Sequence, residues 1–129
     1  MIMNKEYIIG LIEGEGCFQY HEYERTINHK NGRTYQVKQK VTMFNMGMNL
    51  RDTDLLKSVH KFIGIGKIYK YKTMVMYSTT SRKEAIMLME FIDSSSGFKG
   101  YKQKQYVLWK EKVMRAEHGT NRNFYKVQD

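Results

Sequence analysis

Apolar positions recur at helical spacing near the start of the chain. Tyr7, Ile8, Leu11 and Ile12 follow Asn4, a residue type whose side-chain oxygen caps helices, and the run meets Gly14-Glu15-Gly16, where a helix should end. Cys17 to Glu24 reads as a strand, Asn28 to Gly32 as a hairpin turn with Asn31-Gly32 at its tip, and Arg33 to Met48 as a long second strand. Val37, Val41 and Met43 share one parity of that strand while Phe44, Met46 and Met48 share the other, so the pattern predicts a bulge at Met43-Phe44. Asp52 stands where a second helix would be capped, with Leu55, Leu56, Val59, Phe62 and Ile63 as its buried face and Gly64 and Gly66 as its stop. Lys67 to Tyr71 and Met74 to Thr80 form a second hairpin pattern. Ser81 caps a third helix bearing Ala85, Ile86, Leu88, Met89 and Ile92, and Ser94 to Gly97 is a loop. Gln103 to Glu117 is a fourth helix carrying Tyr106, Val107, Trp109 and Val113. The order α-β-β-α-β-β-α-α predicts an α+β fold, an antiparallel four-stranded sheet with helices on one face. A single domain over 1–129 is expected, with residues 119–129 a loosely held tail.

Composition narrows what such a domain meets. With 41% hydrophobic and 27% charged residues the chain has the balance of a globular protein. Its 22 Lys+Arg against 13 Asp+Glu leave a formal charge of +9. That excess on a small domain points to a polyanion, nucleic acid before an anionic membrane surface. A single cysteine excludes an internal disulfide and suggests a reducing setting; Cys17 is expected as a small buried thiol. No apolar run approaches the roughly 18 residues of a membrane span, and the N-terminus lacks the pattern of a signal or transit peptide, so the protein is expected to work inside the compartment that makes it. His21, His29, His60 and His118 show no zinc-ligand spacing, and Trp109 is expected in the core.

The first helix breaks two local rules. Gly10 and Gly14, four apart, share one face, and each interior glycine costs about 1 kcal/mol against alanine. Close packing of that face against another helix would offset the cost. Glu13 and Glu15 lie at the helix C-terminus, where the dipole disfavours carboxylates. A bound divalent cation would compensate, since hard cations take carboxylate, carbonyl and water ligands. By itself the same stretch also reads as a helix stop with exposed charge.

Further residues, in order, decide between these readings. Ile8-Ile9-Gly10-Leu11-Ile12-Glu13-Gly14-Glu15-Gly16-Cys17-Phe18 resembles the LAGLIDADG motif of homing endonucleases in its Gly-Leu-Ile-Glu-Gly-Glu-Gly form. Phe44-Asn45-Met46-Gly47-Met48, Arg51-Asp52 and Leu55-Leu56 resemble that family's second strand and helix. Phe62-Ile63-Gly64-Ile65-Gly66-Lys67-Ile68 resembles its Phe-Gly-Val-Gly-x-Ile turn, and Tyr101-Lys102-Gln103-Lys104-Gln105-Tyr106 its lysine-bearing segment before the last helix.

The resemblance implies a single-motif member that pairs with a second copy through Ile9, Gly10, Glu13 and Gly14, bringing two acidic helix tips together. It implies Glu15 as the metal-binding acid and the Gly14 carbonyl as a further ligand. The metal would be Mg²⁺, or Mn²⁺ or Ca²⁺ at the same site. Glu13 would serve the interface or neighbouring amides. Lys102 would polarise the scissile phosphate or the surroundings of the attacking water, with Lys104 the substitute if the register is off by a turn. Some relatives carry a glutamine at the end of the second strand; Met48-Asn49-Leu50 has none, and Asn49 is the substitute. Bound over the major groove, the sheet would present Gln19, His21, Tyr23 and Arg25 from its first strand, Gln36, Lys38 and Lys40 from its second, and Lys70, Lys72, Met76 and Ser78 from the second hairpin. The implied activity is a metal-dependent double-strand break in a long, roughly palindromic DNA site. RNA maturation of a host intron, or DNA binding without cleavage, are the alternatives the family allows. Family habit implies an intron-encoded protein in an organelle, with a bacterial or phage source the other setting.

Overall fold

The computed structural model describes residues 3–115 and 122–126. Its elements run α1 (Lys5–Glu15), β1 (Gly16–Asn28), β2 (Thr34–Asn49), α2 (Thr53–Ile63), β3 (Lys67–Lys70), β4 (Met74–Thr79), α3 (Arg82–Asp93), α4 (Lys102–Arg115) and β5 (Arg122–Lys126). The α-β-β-α-β-β-α-α order expected from the sequence is therefore present, followed by one further strand within the segment read as a tail. The strands form one antiparallel sheet in the order β1-β2-β4-β3, with β5 paired to β2.

Local chemistry explains most boundaries. The Asn4 side chain accepts from the Tyr7 amide at 2.8 Å and opens α1. Ser81 and Glu84 form a reciprocal capping box at the start of α3. Gly64 ends α2 in the left-handed conformation, φ 85°. Gly66 (φ 92°) has a second reason to be glycine: a Cβ there would meet the Tyr77 ring at 2.8 Å and the Ser78 carbonyl at 2.9 Å. Asp52 precedes α2 without a side-chain cap, because a 3-10 turn over Leu50–Asp52 comes first. Asn49 caps that turn instead, accepting from the Arg51 amide at 3.0 Å, and Thr53 Oγ1 donates to the Leu50 carbonyl.

All four helices pack on one face of the sheet. Ile8, Ile9 and Ile12 from α1 meet Phe44 and Met46 from β2, Val75 and Tyr77 from β4, Leu56 and Val59 from α2, Leu88 and Ile92 from α3, and Trp109 and Val113 from α4. Burying each such side chain contributes about 1.5–3 kcal/mol. Two expected core residues are half exposed. Phe62 is 45% exposed, edge-on to Phe91, because Leu56, Val59 and Ile63 fill the inward arc of α2. Val107 is 42% exposed because Tyr106, Trp109 and Val113 fill that of α4.

The bulge expected at Met43-Phe44 does not exist. Pairing of β1 with β2 runs without interruption from Gly16 opposite Met46 to Asn28 opposite Thr34, and that of β2 with β4 is equally regular. The apolar pattern changes parity because β2 is apolar on both faces. Thr42, Phe44 and Met46 lie under the helices, whereas Val37, Val41 and Met43 belong to the other face.

Candidate active site and nucleic-acid interface

The C-terminus of α1 runs directly into β1. Gly16 permits this, since a Cβ there would meet the Ile12 carbonyl at 2.7 Å and the Phe44 ring at 2.9 Å. Glu15, the last helical residue, is thereby held at the head of the sheet with its side chain exposed. Among the described residues its carboxylate has no hydrogen-bond or ion-pair partner. The last carbonyls of a helix, Gly14 among them, lack intrahelical donors.

Lys102 is brought to the same place. Its Nζ donates to the Gly16 carbonyl at 2.5 Å, setting an ammonium at the negative end of α1 one residue from the acid. Two carboxylates on α1 hold the loop that delivers it. Glu6 accepts from the amide and hydroxyl of Ser96 at 3.1 and 2.7 Å. Glu13 accepts from the amides of Lys99 (2.9 Å) and Gly100 (2.6 Å). Those two N–H groups hold the Glu13 carboxyl below its ordinary range, outweighing its desolvation, and the charges of Lys99 and Lys102 add to the effect. Glu13 thus serves neighbouring amides, as one of its two expected roles required. Lys104 is exposed and lines an outward groove with Gln103, Val107 and Leu108, so Lys102 is the lysine beside the acid.

The free face of α1 is formed by Tyr7 (43% exposed), Gly10 and Gly14. A Cβ added at either glycine would meet nothing within 4 Å. Ile9, expected on this face, is instead 3% exposed and in the core, because it lies on the arc shared with Ile8 and Ile12.

Cross-strand pairing sorts the expected DNA contacts by face. Phe18 packs under the helices against Phe44 and Trp109, so the even-numbered residues of β1 and β2 face the helix layer and the odd-numbered ones the open side. Gln19, His21 and Tyr23 therefore stand on the open face as expected. Arg25 pairs with Val37, and its side chain lies outside the described residues. In β4 the ladder puts Met76 opposite Gly47 and Ser78 opposite Asn45, again on the open face.

Four expected contacts are elsewhere. Gln36, Lys38 and Lys40 have the parity of Phe44 and face the helix side, where Gln36 donates to Glu24 at 2.8 Å and Lys40 lies 4.0 Å from Glu22. Lys70 pairs with buried Val75 and shares its face. The error follows from the bulge that is not there: with an unbroken register, Gln39, Val41, Met43 and Asn45 are the open-face residues of β2. Lys72 lies in the turn between β3 and β4, exposed. Lys67, opposite Ser78, and Tyr69, opposite Met76, are open-face residues that the sequence reading missed. Asn49 has open-face parity opposite Met74, with its carbonyl oxygen already used by the Arg51 amide.

Next to the end of α1 the open face carries a line of polar side chains across three strands. Ser78 Oγ donates to Asn45 Oδ1 at 2.6 Å, Asn45 Nδ2 to Gln19 Oε1 at 3.3 Å, and Gln19 Nε2 to Cys17 Sγ at 3.5 Å. Cys17 is exposed, not the buried thiol expected. The signal for Asn45 was a polar residue inside the apolar run Met43-Phe44-Asn45-Met46, legible once Phe44 is assigned to the core.

The family model for LAGLIDADG endonucleases matches residues 8–113, and the chain belongs to that family. Solved structures agree with the assignment. The I-LtrWI LAGLIDADG homing endonuclease bound to target DNA is 26% identical, covering 89% of this chain and 38% of its own, with a TM-score of 0.72. I-SmaMI, bound to an uncleaved DNA target in the presence of calcium ions, is 24% identical over 87% of this chain and 37% of its own, TM-score 0.68. The homing endonuclease I-TnaI is 21% identical over 92% of this chain and 76% of its own, TM-score 0.69. The chain thus spans well under half the length of the DNA-bound structures it matches. No curated protein sequence shows significant similarity to it.

Proposed function

We propose that the chain is a metal-dependent, site-specific DNA endonuclease that works as a twofold pair. The observation that carries the reading is the coincidence, at one helix end, of an exposed carboxylate without a partner (Glu15) and an ammonium held one residue away (Lys102), at the edge of an open sheet face.

The donors at that end suit a hard cation. They are the Glu15 carboxylate and the Gly14 carbonyl, oxygen atoms of the kind Mg²⁺ takes. Among the described residues no three His, Cys, Asp or Glu side chains gather, and Glu13 is taken up by the Lys99 and Gly100 amides, so one copy offers the Glu15 carboxylate there. Packing the Tyr7-Gly10-Gly14 face against the same face of a second copy would bring a second acid to it. A bound divalent cation would supply Lewis acidity at the phosphate and a water of lowered pKa.

The chain's own groups do the rest. Glu15 holds the cation. Lys102, fixed on the Gly16 carbonyl, sets positive charge where the phosphorane oxygens and the leaving oxygen gain negative charge. Gln19, His21, Tyr23 and Met76 face the groove and set the register, Ser78 being buried against Asn45, while the overall charge of +9 attracts the backbone.

Exposing a pool of duplexes with a randomised central segment to the protein and Mg²⁺, and sequencing the broken ends, tests this. The expected outcome is enrichment of one near-palindromic site, cut on both strands by the wild type and bound but uncut by Glu15→Gln. A site that is bound yet left intact in both Mg²⁺ and Mn²⁺ would sink the nuclease reading.

A further inference from the structure

The polar line on the open face has a direction. It begins at a hydroxyl that can rotate, Ser78, and passes through two side-chain amides to a thiol. Each amide has two unlike ends, an acceptor oxygen and a donor NH₂. Asn45 is oriented by the Met43 sulfur, an acceptor only, which its NH₂ meets at 3.1 Å; its own oxygen is left to take the rotatable Ser78 hydroxyl, and the same NH₂ reaches the Gln19 oxygen at 3.3 Å. That contact in turn orients Gln19. Its Oε1 is turned inward to Asn45, and its Nε2 gives one N–H to Cys17 and keeps the other. The main-chain carbonyl of Gln19 is fixed from behind by the Trp109 indole N–H at 2.9 Å, so the residue is anchored on both faces of the sheet.

A glutamine free to rotate reads adenine with both ends of its amide, accepting from N6 and donating to N7. Gln19 is not free in this sense. From these contacts we infer that Asn45 is a specificity-determining residue: it locks the Gln19 amide with its donor outward, so that Gln19 favours a base carrying a keto oxygen in the major groove, guanine O6 or thymine O4, while adenine keeps only its N7 contact and cytosine, with N4–H₂ alone, has none. Cys17, at the end of the line, is two residues from Glu15, so the base pair concerned lies beside the cleavage centre. The inference rests on the DNA-binding reading above and adds one orienting residue and a base class to it.

Asn45→Asp tests it directly. The introduced carboxylate still accepts from Ser78 but offers Gln19 no donor. The Gln19 amide then turns over, donates inward and presents its oxygen. At one base pair in each half-site the selected pool should move from keto bases (G or T) to amino bases (A or C), by about tenfold in preference. Gln19→Glu removes the outward donor without using Asn45 and should give the same switch. Thermal melting of both variants reports whether the fold is kept.

Three results would overturn the inference. The wild type could already favour amino bases there. The Gln19→Glu switch could occur without the Asn45→Asp switch, which makes Gln19 a reader that Asn45 does not orient. Neither variant could move any position while the rest of the site stays enriched. If no sequence is enriched by the wild type at all, the DNA-binding reading fails rather than this one.

Discussion

On the helix side of β2, Thr42, Phe44 and Met46 are fully buried; one position along, on the open side, Val41, Met43 and Asn45 are only half-buried. The two faces of one strand thus do different work. The covered face is packed against residues from every helix and holds the molecule together. The open face is lined by amides, hydroxyls, tyrosines and a lysine, several of them bonded to each other rather than to the core. The difference shows where selection for binding can act on this fold without unfolding it. On the proposed reading, changes on the open face would alter recognition, and changes one residue away alter stability.

The largest expected effect lies where the two faces meet. Glu15→Gln should lower cleavage by about 10³-fold or more while leaving DNA binding and melting temperature near wild type, as the proposed metal-holding role requires. Gel-shift, melting and cleavage assays on one preparation check it. Next comes the contrast within β2. Phe44→Ala should cost about 3–5 kcal/mol of stability by opening a cavity. Met43→Ala, on the half-buried side, should cost under about 1.5 kcal/mol. Denaturant unfolding of the two variants side by side would break the comparison if the costs were equal. Lys102→Ala should slow cleavage by about 10²-fold in single-turnover assays with little change in affinity, the scale for one positioned electrostatic group. The smallest effect separates two lysines of one strand. Lys67→Ala, on the open face, should reduce the salt slope of DNA binding by about 0.9, and Lys70→Ala, on the other face, should leave it unchanged.

The element order was legible because helix caps and apolar periodicity agreed at Asn4, Gly64 and Ser81. The acid and lysine of the site were legible through the family motif, since neither Glu15 nor Lys102 has a local pattern that distinguishes it from a solvated charge. What failed was parity in β2. A strand that is apolar on both faces gives alternation no unique phase, so Gln36, Lys38 and Lys40 were assigned one position out and Asn45 was overlooked. Ile9 was misplaced for a related reason: Ile8, Ile9, Leu11 and Ile12 put apolar residues on adjacent arcs of one helix, and composition does not say which of them faces inward. The Glu13 and Glu6 contacts join residues 86 or more positions apart in sequence, and no local pattern announces them.

On the proposed pairing, Gly10 and Gly14 are glycines for the sake of a second copy and not for this chain's own packing. Gly10→Leu separates the two, because a Cβ at that exposed position meets nothing within 4 Å in a single copy and removing an interior helix glycine stabilises by about 0.5–1 kcal/mol. Sedimentation of the wild type and Gly10→Leu at equal concentration is the direct measurement, with melting temperature alongside. The wild type should sediment as a dimer, and the variant as a monomer that melts no lower and fails to cut. A Gly10→Leu protein that stays paired and cuts both strands, or a wild type that cuts both strands as a monomer, would contradict it.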